Sequence, residues 1–127
     1  MKQFLIVGLG GGIGSMVRYG VARWMLVAGA QPFFPWATFA VNVSGCLVIG
    51  VLAGLADRFH LFSENATLLL FTGLLGGFTT FSSFGLEAMF LMRRGEWGWA
   101  ALYVAGSLLF GLLAVWLGMK AVEAWPG

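Results

Sequence analysis

The chain has 127 residues, 60% of them hydrophobic and 9% charged, with a mean hydropathy of +0.91. Such a composition excludes an ordinary soluble domain and points to an integral membrane protein. Seven Lys and Arg against five Asp and Glu leave a net charge of +2, scattered without a basic stripe, which argues against a nucleic-acid partner.

Crossing the hydrocarbon core takes about 20 mostly apolar helical residues, and four stretches meet that length. The first runs from about Phe4 to Val27. It could be mistaken for a secretory signal behind Lys2, but Arg18 and Arg23 interrupt it, and the remaining chain is equally apolar. Its run Gly8-Leu9-Gly10-Gly11-Gly12-Ile13-Gly14 lacks the final glycine of a dinucleotide loop in either frame and follows no strand.

After a connection at Pro32 to Pro35, the second stretch extends from Trp36 to Ala56 and carries Thr38, Asn42 and Ser44. Its Cys46 is the chain's single cysteine, cannot form an intramolecular disulfide, and reads as a small hydrophobe. Asp57 to Glu64 lead into the third stretch, Asn65 to Met92, and Arg93 to Glu96 into the fourth, Trp97 to Ala121, with Tyr103 and Ser107. The expected architecture is all-α: one four-helix transmembrane domain over residues 1–127. Tryptophans at 24, 36, 97, 99, 116 and 125 fall mostly near the expected span ends, where indoles favour the headgroup region.

Gly8 with Gly12, Gly10 with Gly14, and Gly50 with Gly54 have small-xxx-small spacing. In lipid such faces let helix backbones approach closely, and dispersion contacts replace the missing hydrophobic drive. Four spans put both termini on one side, with Lys2, Arg58 and Lys120 there and Arg23, Arg93 and Arg94 opposite. This tie, or three against four with the deeper Arg18, predicts insertion in both orientations and permits an antiparallel homodimer; the alternative is that another signal sets one orientation.

Enzyme chemistry is not expected: His60 is the only histidine and Cys46 has no evident partner, so neither a triad nor a metal cluster is indicated. The unusual feature is the third stretch, where Gly73, Gly76 and Gly77 precede Thr79-Thr80-Phe81-Ser82-Ser83-Phe84. A lone intramembrane hydroxyl ordinarily bonds a neighbouring carbonyl, but glycines beside this hydroxyl run make a regular helix improbable. A break at membrane depth persists only where it is buried in protein or lines an aqueous path. It frees carbonyls for a cation and amides or hydroxyls for an anion. Phe81 and Phe84 lie three apart on one helical face. Their electropositive edges, with the Asn42 amide and the hydroxyls, suit a small, strongly hydrated anion, whereas a fixed lysine or arginine would risk trapping it.

Four segments carry a resemblance over essentially the whole chain: Gly11 to Tyr19 (GGIGSMVRY), Thr38 to Gly45 (TFAVNVSG), Gly73 to Phe84 (GLLGGFTTFSSF), and Tyr103 with Ser107. They resemble the Fluc/CrcB family of fluoride channels. The resemblance implies an antiparallel, dual-topology homodimer with a broken third helix and two fluoride pathways at the subunit interface. The expected setting is the bacterial plasma (inner) membrane, with lipid around a multi-pass protein. It implies Phe81 and Phe84 as an aromatic box, Asn42 as a donor to fluoride, and Thr38, Ser82, Ser83, Tyr103 and Ser107 as polar lining. Glu87 resembles an acidic residue near the pore end, with a solvated interfacial carboxylate as the alternative. The carbonyls of Gly76 and Thr79 would hold a structural Na+ between subunits. Ser83 stands where threonine is commoner, Gly85 where a hydroxyl often follows, and Ser15 where alanine is usual.

The implied activity is passive: fluoride that entered as the neutral acid and dissociated in the cytoplasm leaves down its electrochemical gradient, giving fluoride resistance. Two other classes are weighed against it. A dual-topology small multidrug transporter needs an embedded acid, and Phe4 to Val27 holds none. A noncatalytic membrane scaffold subunit would tolerate alanine throughout Thr79 to Phe84 without a change in ion flux.

Overall fold

Long runs of Leu, Val, Ala and Gly leave the backbone no hydrogen-bond partner in hydrocarbon except itself, so each apolar stretch closes as a helix. The computed structural model describes residues 1–31 and 33–127, and Pro32, placed by the sequence in the first connection, lies outside them. Four helical spans are long and apolar enough to cross a membrane: Lys2–Val27, Trp36–Phe59, Glu64–Arg93 and Trp97–Glu123. The described residues are thus all-helical and fit a membrane protein.

The first two helices are α1 (Lys2–Val27) and α2 (Trp36–Phe59). Helix α1 ends just before Gly29, whose φ of +88° turns the chain in a region that side chains resist. Helix α2 begins after Pro35 and ends at His60 in the left-handed conformation. It continues through Asp57, Arg58 and Phe59, which the sequence placed in a connection. The extension has partners: the Arg58 guanidinium donates to the Val122 carbonyl and, at 3.1 Å, to the Glu123 carbonyl, and lies 4.9 Å from the Phe59 ring centroid. It thereby adds side-chain donors to the last carbonyls of the final helix, of which Val122 also accepts the Trp125 N–H at 3.1 Å.

The third span is assembled from pieces. Helix α3 (Glu64–Thr67) starts where the Ser63 hydroxyl accepts the Ala66 N–H at 3.1 Å. A π-helical segment, Leu68–Leu75, leads into the short α4 (Gly76–Phe78). Thr79 (φ −85°, ψ 158°) and Thr80 (φ −150°, ψ 119°) are extended. Helix α5 (Phe81–Arg93) then begins, its end capped by the Thr80 hydroxyl, which accepts the Ser83 N–H at 3.2 Å. A turn at Gly95, φ +78°, leads to α6 (Trp97–Glu123).

Packing follows the glycines. Helix α1 lies against the π segment and α4, while α2 lies against α6, and α5 packs on α6. A methyl group on Gly10 would sit 2.7 Å from the Leu69 carbonyl oxygen, and one on Gly14 or Gly77 would meet the carbonyls of Leu74 or Gly11 more closely still. On the other pair, a methyl on Gly118 would come within 2.6 Å of the Leu47 carbonyl, and one on Gly54 within 3.0 Å of Val122. These faces provide the close backbone approach expected of small residues. Gly8 and Gly12 do not share it, having nothing within 4 Å. The reason is rotation: two residues turn an α-helix by about 200°, so they point away from the face that carries Gly10 and Gly14.

An aromatic cluster gathers around the buried Phe34 and Tyr103. Phe34, in the connection before α2, lies against Trp36, Phe39, Trp99 and Tyr103, with ring centroids 4.5, 6.0, 5.7 and 5.4 Å away.

Candidate functional site

The extended pair Thr79-Thr80 interrupts the hydrogen-bond ladder of the third span, and three side chains on neighbouring helices take up the released groups. Asn42 on α2 makes two bonds to one residue. Its Nδ2 donates to the Thr80 carbonyl at 2.9 Å, and its Oδ1 accepts the Thr80 N–H at 2.8 Å. From α1, Arg18 Nε donates to the Gly77 carbonyl at 3.1 Å and Ser15 Oγ to the same oxygen at 3.4 Å. The Thr79 hydroxyl turns back to the Leu75 carbonyl at 2.8 Å. An unsatisfied backbone group in a dry environment costs about 1–3 kcal/mol, so these contacts are what make the interruption tolerable.

Around this point the protein leaves two recesses. One, of about 320 Å³, is lined by Asn42, Gly45, Cys46, Gly76, Thr79 and Phe81. The other, about 360 Å³ and more polar, includes Ser15, Arg18, Thr38, Thr80, Ser83 and Glu87. Thr80 borders both. Phe81 and Phe84 adjoin each other with centroids 5.6 Å apart and rings inclined by 41°. Their surroundings differ sharply: Phe84 is 9% exposed and Phe81 81%. Phe84 continues to Tyr103 on α6 at 5.1 Å.

The remaining residues singled out in the sequence lie on α2, α5 and α6. Thr38 on α2 donates to a Glu87 carboxylate oxygen on α5 at 2.6 Å, the distance of a charge-assisted bond. Ser82 lies 3.3 Å from the Thr80 hydroxyl, and Ser83 uses its backbone N–H on the same oxygen. The hydroxyls of Tyr103 and Ser107 are buried and, among the described residues, have no partner in hydrogen-bonding geometry. Buried hydroxyls are ordinarily satisfied, so these two, both on α6, are exceptions to that rule.

Arg18 and Ser15 are the contributors that sequence reasoning had not placed in the site. Arg18 carried a signal, being an ionisable residue inside an apolar span; Ser15 showed only as a departure from a usual alanine.

Four apolar helices, with the Asn42 amide, the Arg18 guanidinium and a run of hydroxyls gathered at Thr79-Thr80, define a multi-pass membrane protein with a polar site inside its spans. Residues 5–119 match the family described as CrcB-like protein, Camphor Resistance (CrcB). The chain is 49% identical over 123 residues to a protein of Methylobacillus flagellatus, covering 97% of this chain and 96% of that one. It is 48% identical over 124 residues to a Rhizobium etli protein, 98% of each chain being covered. To a Novosphingobium aromaticivorans protein it is also 48% identical over 124 residues, covering 97% of this chain and 98% of the other. All three relatives are named Fluoride-specific ion channel FluC. The chain belongs to the CrcB-like family.

Proposed function

We propose that this protein is a fluoride-selective ion channel through which fluoride leaves the cytoplasm passively, as part of a dual-topology homodimer in the bacterial plasma membrane. The observation that carries the reading is identity of nearly one half, over nearly the full length, to relatives that bear that name. The chemistry of the site supports it. Fluoride is small and strongly hydrated, and entering protein means exchanging water for donors that do not trap it. Phe81 and Phe84 would offer ring edges, Asn42 an amide, and Thr38, Ser82, Ser83, Tyr103 and Ser107 hydroxyls along the route, with Glu87 near its end. No step makes or breaks a covalent bond. A potential negative inside drives an anion outward by about 2.3 kcal/mol per 100 mV.

The dimer reading draws on the balanced basic residues and on Phe81, an aromatic of the proposed pathway that one protomer leaves uncovered. In this reading the third helix is broken at Thr79-Thr80, and residues 1–127 form one transmembrane domain.

A structural Na+ between subunits fits the donors present. The Thr80 N–H that would close a helical bond to the Gly76 carbonyl goes to Asn42 instead, and the Ser83 N–H that would reach Thr79 goes to the Thr80 hydroxyl. Gly76 and Thr79 thus offer carbonyl oxygens, hard ligands suited to an alkali cation and not to a transition metal. When bound, the ion would supply charge that holds these carbonyls together.

The test is fluoride efflux from liposomes containing the purified protein, with valinomycin and potassium to collapse the diffusion potential and chloride-loaded liposomes as control. Fluoride release without chloride release is the expected result. Well-folded dimers that release neither ion would remove the conduction reading.

A further inference from the structure

We propose that Phe34 is a positioning residue for the ion pathway, acting through Tyr103: its ring fixes the Tyr103 ring and so aims the unpartnered Tyr103 hydroxyl. The inference rests on reading Tyr103 as pathway lining. Residues that connect helices ordinarily lie at the surface, yet Phe34 is 6% exposed and Tyr103 not exposed at all. The two rings meet edge to face, 5.4 Å apart and inclined by 82°, the arrangement that sets a positive ring edge against a negative face. On its other side Tyr103 meets Phe84 at 5.1 Å, and Phe84 meets Phe81 at 5.6 Å. A continuous stack of rings therefore runs from the connection before α2 to the start of α5.

The orientation of Tyr103 needs such a brace. A buried tyrosine usually has its ring direction set in part by the bond its hydroxyl makes, but this hydroxyl, though Thr38 and Glu87 lie near it, meets no partner in bonding geometry among the described residues. Packing of the ring is therefore the main constraint on where it points. Phe84 belongs to the proposed aromatic box, so the brace from outside the box is Phe34, itself held by Trp36, Phe39 and Trp99. A donor fixed before the ion arrives loses no orientational freedom when it is used, the advantage of preorganisation.

The experiment is the fluoride efflux rate per reconstituted dimer for Phe34→Leu, Phe34→Ala, Tyr103→Phe and the double variant Phe34→Leu/Tyr103→Phe, with dimer assembly checked by size exclusion. Phe34→Leu keeps apolar bulk while losing the ring, and is expected to slow efflux about tenfold, the scale of one lost aromatic contact. Tyr103→Phe should also slow efflux, and the leucine change should add nothing further in that background, because the hydroxyl it served is gone. A merely structural Phe34 would slow both backgrounds by the same factor, and that result overturns the inference. So does Phe34→Leu at the parental rate, or failure of both Phe34 variants to assemble. Tyr103→Phe at the parental rate would instead overturn the pathway reading of Tyr103 itself, and this inference with it.

Discussion

Asn42 grips Thr80 at two points, its Nδ2 donating to the Thr80 carbonyl at 2.9 Å while its Oδ1 accepts the Thr80 N–H at 2.8 Å. The amide meets the Thr80 N–H, which has left the helical ladder, and shares the Thr80 carbonyl with the first turn of α5, which Thr80 caps. No other side chain of that length offers one donor and one acceptor in this fork.

Asn42→Asp tests the grip directly. The variant turns the donor into a second acceptor opposite the Thr80 carbonyl and adds negative charge on the anion route. Losing that bond and setting acceptor against acceptor costs about 1 kcal/mol or more, so the thermal midpoint in detergent should fall while the dimer still assembles. Fluoride efflux should drop roughly a hundredfold, the rate effect of about 2.7 kcal/mol. Unchanged efflux would remove Asn42 from the pathway.

Phe81 and Phe84 should separate function from folding. Phe81 is largely uncovered in the protomer, so Phe81→Ile opens no internal cavity and should leave protomer stability within about 0.5 kcal/mol. Fluoride efflux should nevertheless be abolished or sharply reduced. Phe84→Ala empties a buried site and should cost about 3–5 kcal/mol of stability as well. Calorimetry or chemical denaturation beside the efflux assay reads both effects, and normal flux in Phe81→Ile would contradict the pore assignment.

The glycine faces of α1 differ in a way that alanine exposes. A methyl on Gly14 runs into the Leu74 carbonyl of the π segment, whereas one on Gly12 meets nothing within 4 Å. Gly14→Ala should therefore destabilise by about 1–3 kcal/mol through backbone displacement. Gly12→Ala should be neutral, or favourable by up to about 1 kcal/mol because alanine is the better helix former. Equal denaturation midpoints for the two variants would contradict the packing described for α1.

Removing sodium tests the carbonyl pair. Exchange into N-methylglucamine buffer should lower the dimer's thermal midpoint and slow efflux, and added sodium should restore both. Saturation at a hundred times the dissociation constant corresponds to about 2.7 kcal/mol. Thr79→Ser, which retains the carbonyl and the hydroxyl, should keep the dependence. A midpoint indifferent to sodium would count against an ion at Gly76 and Thr79.

Much of this was legible in the sequence because lipid imposes strong constraints. Four apolar stretches had to be helices, and the helical face carrying Gly10 and Gly14 is a close-packing face. Spacing did not reveal which glycine pairs face a neighbour, since Gly8 with Gly12 has the same interval as Gly10 with Gly14; that depends on how α1 is rotated. The hydroxyl run of the third span marked the site, but its partners were invisible. Arg18 meets Gly77 across 59 positions of chain and Asn42 meets Thr80 across 38, and no local pattern encodes such pairings. The end of α2 was placed short because charge at Asp57 and Arg58 marks where the apolar stretch stops, not where hydrogen bonding does.

The extended residues Thr79 and Thr80 also decide which helices the third span keeps company with. Before them, the π segment and α4 are zipped to α1; after them, α5 rests on α6, the mate of α2. The two threonines are thus a transfer point, handing the chain from one glycine-locked helix pair to the other. A methyl group at Gly14 or Gly118 would collide with backbone across its seam, so both pairs are held at close backbone approach. Any sliding of one pair against the other would be felt at Thr79-Thr80 and in the two bonds of Asn42.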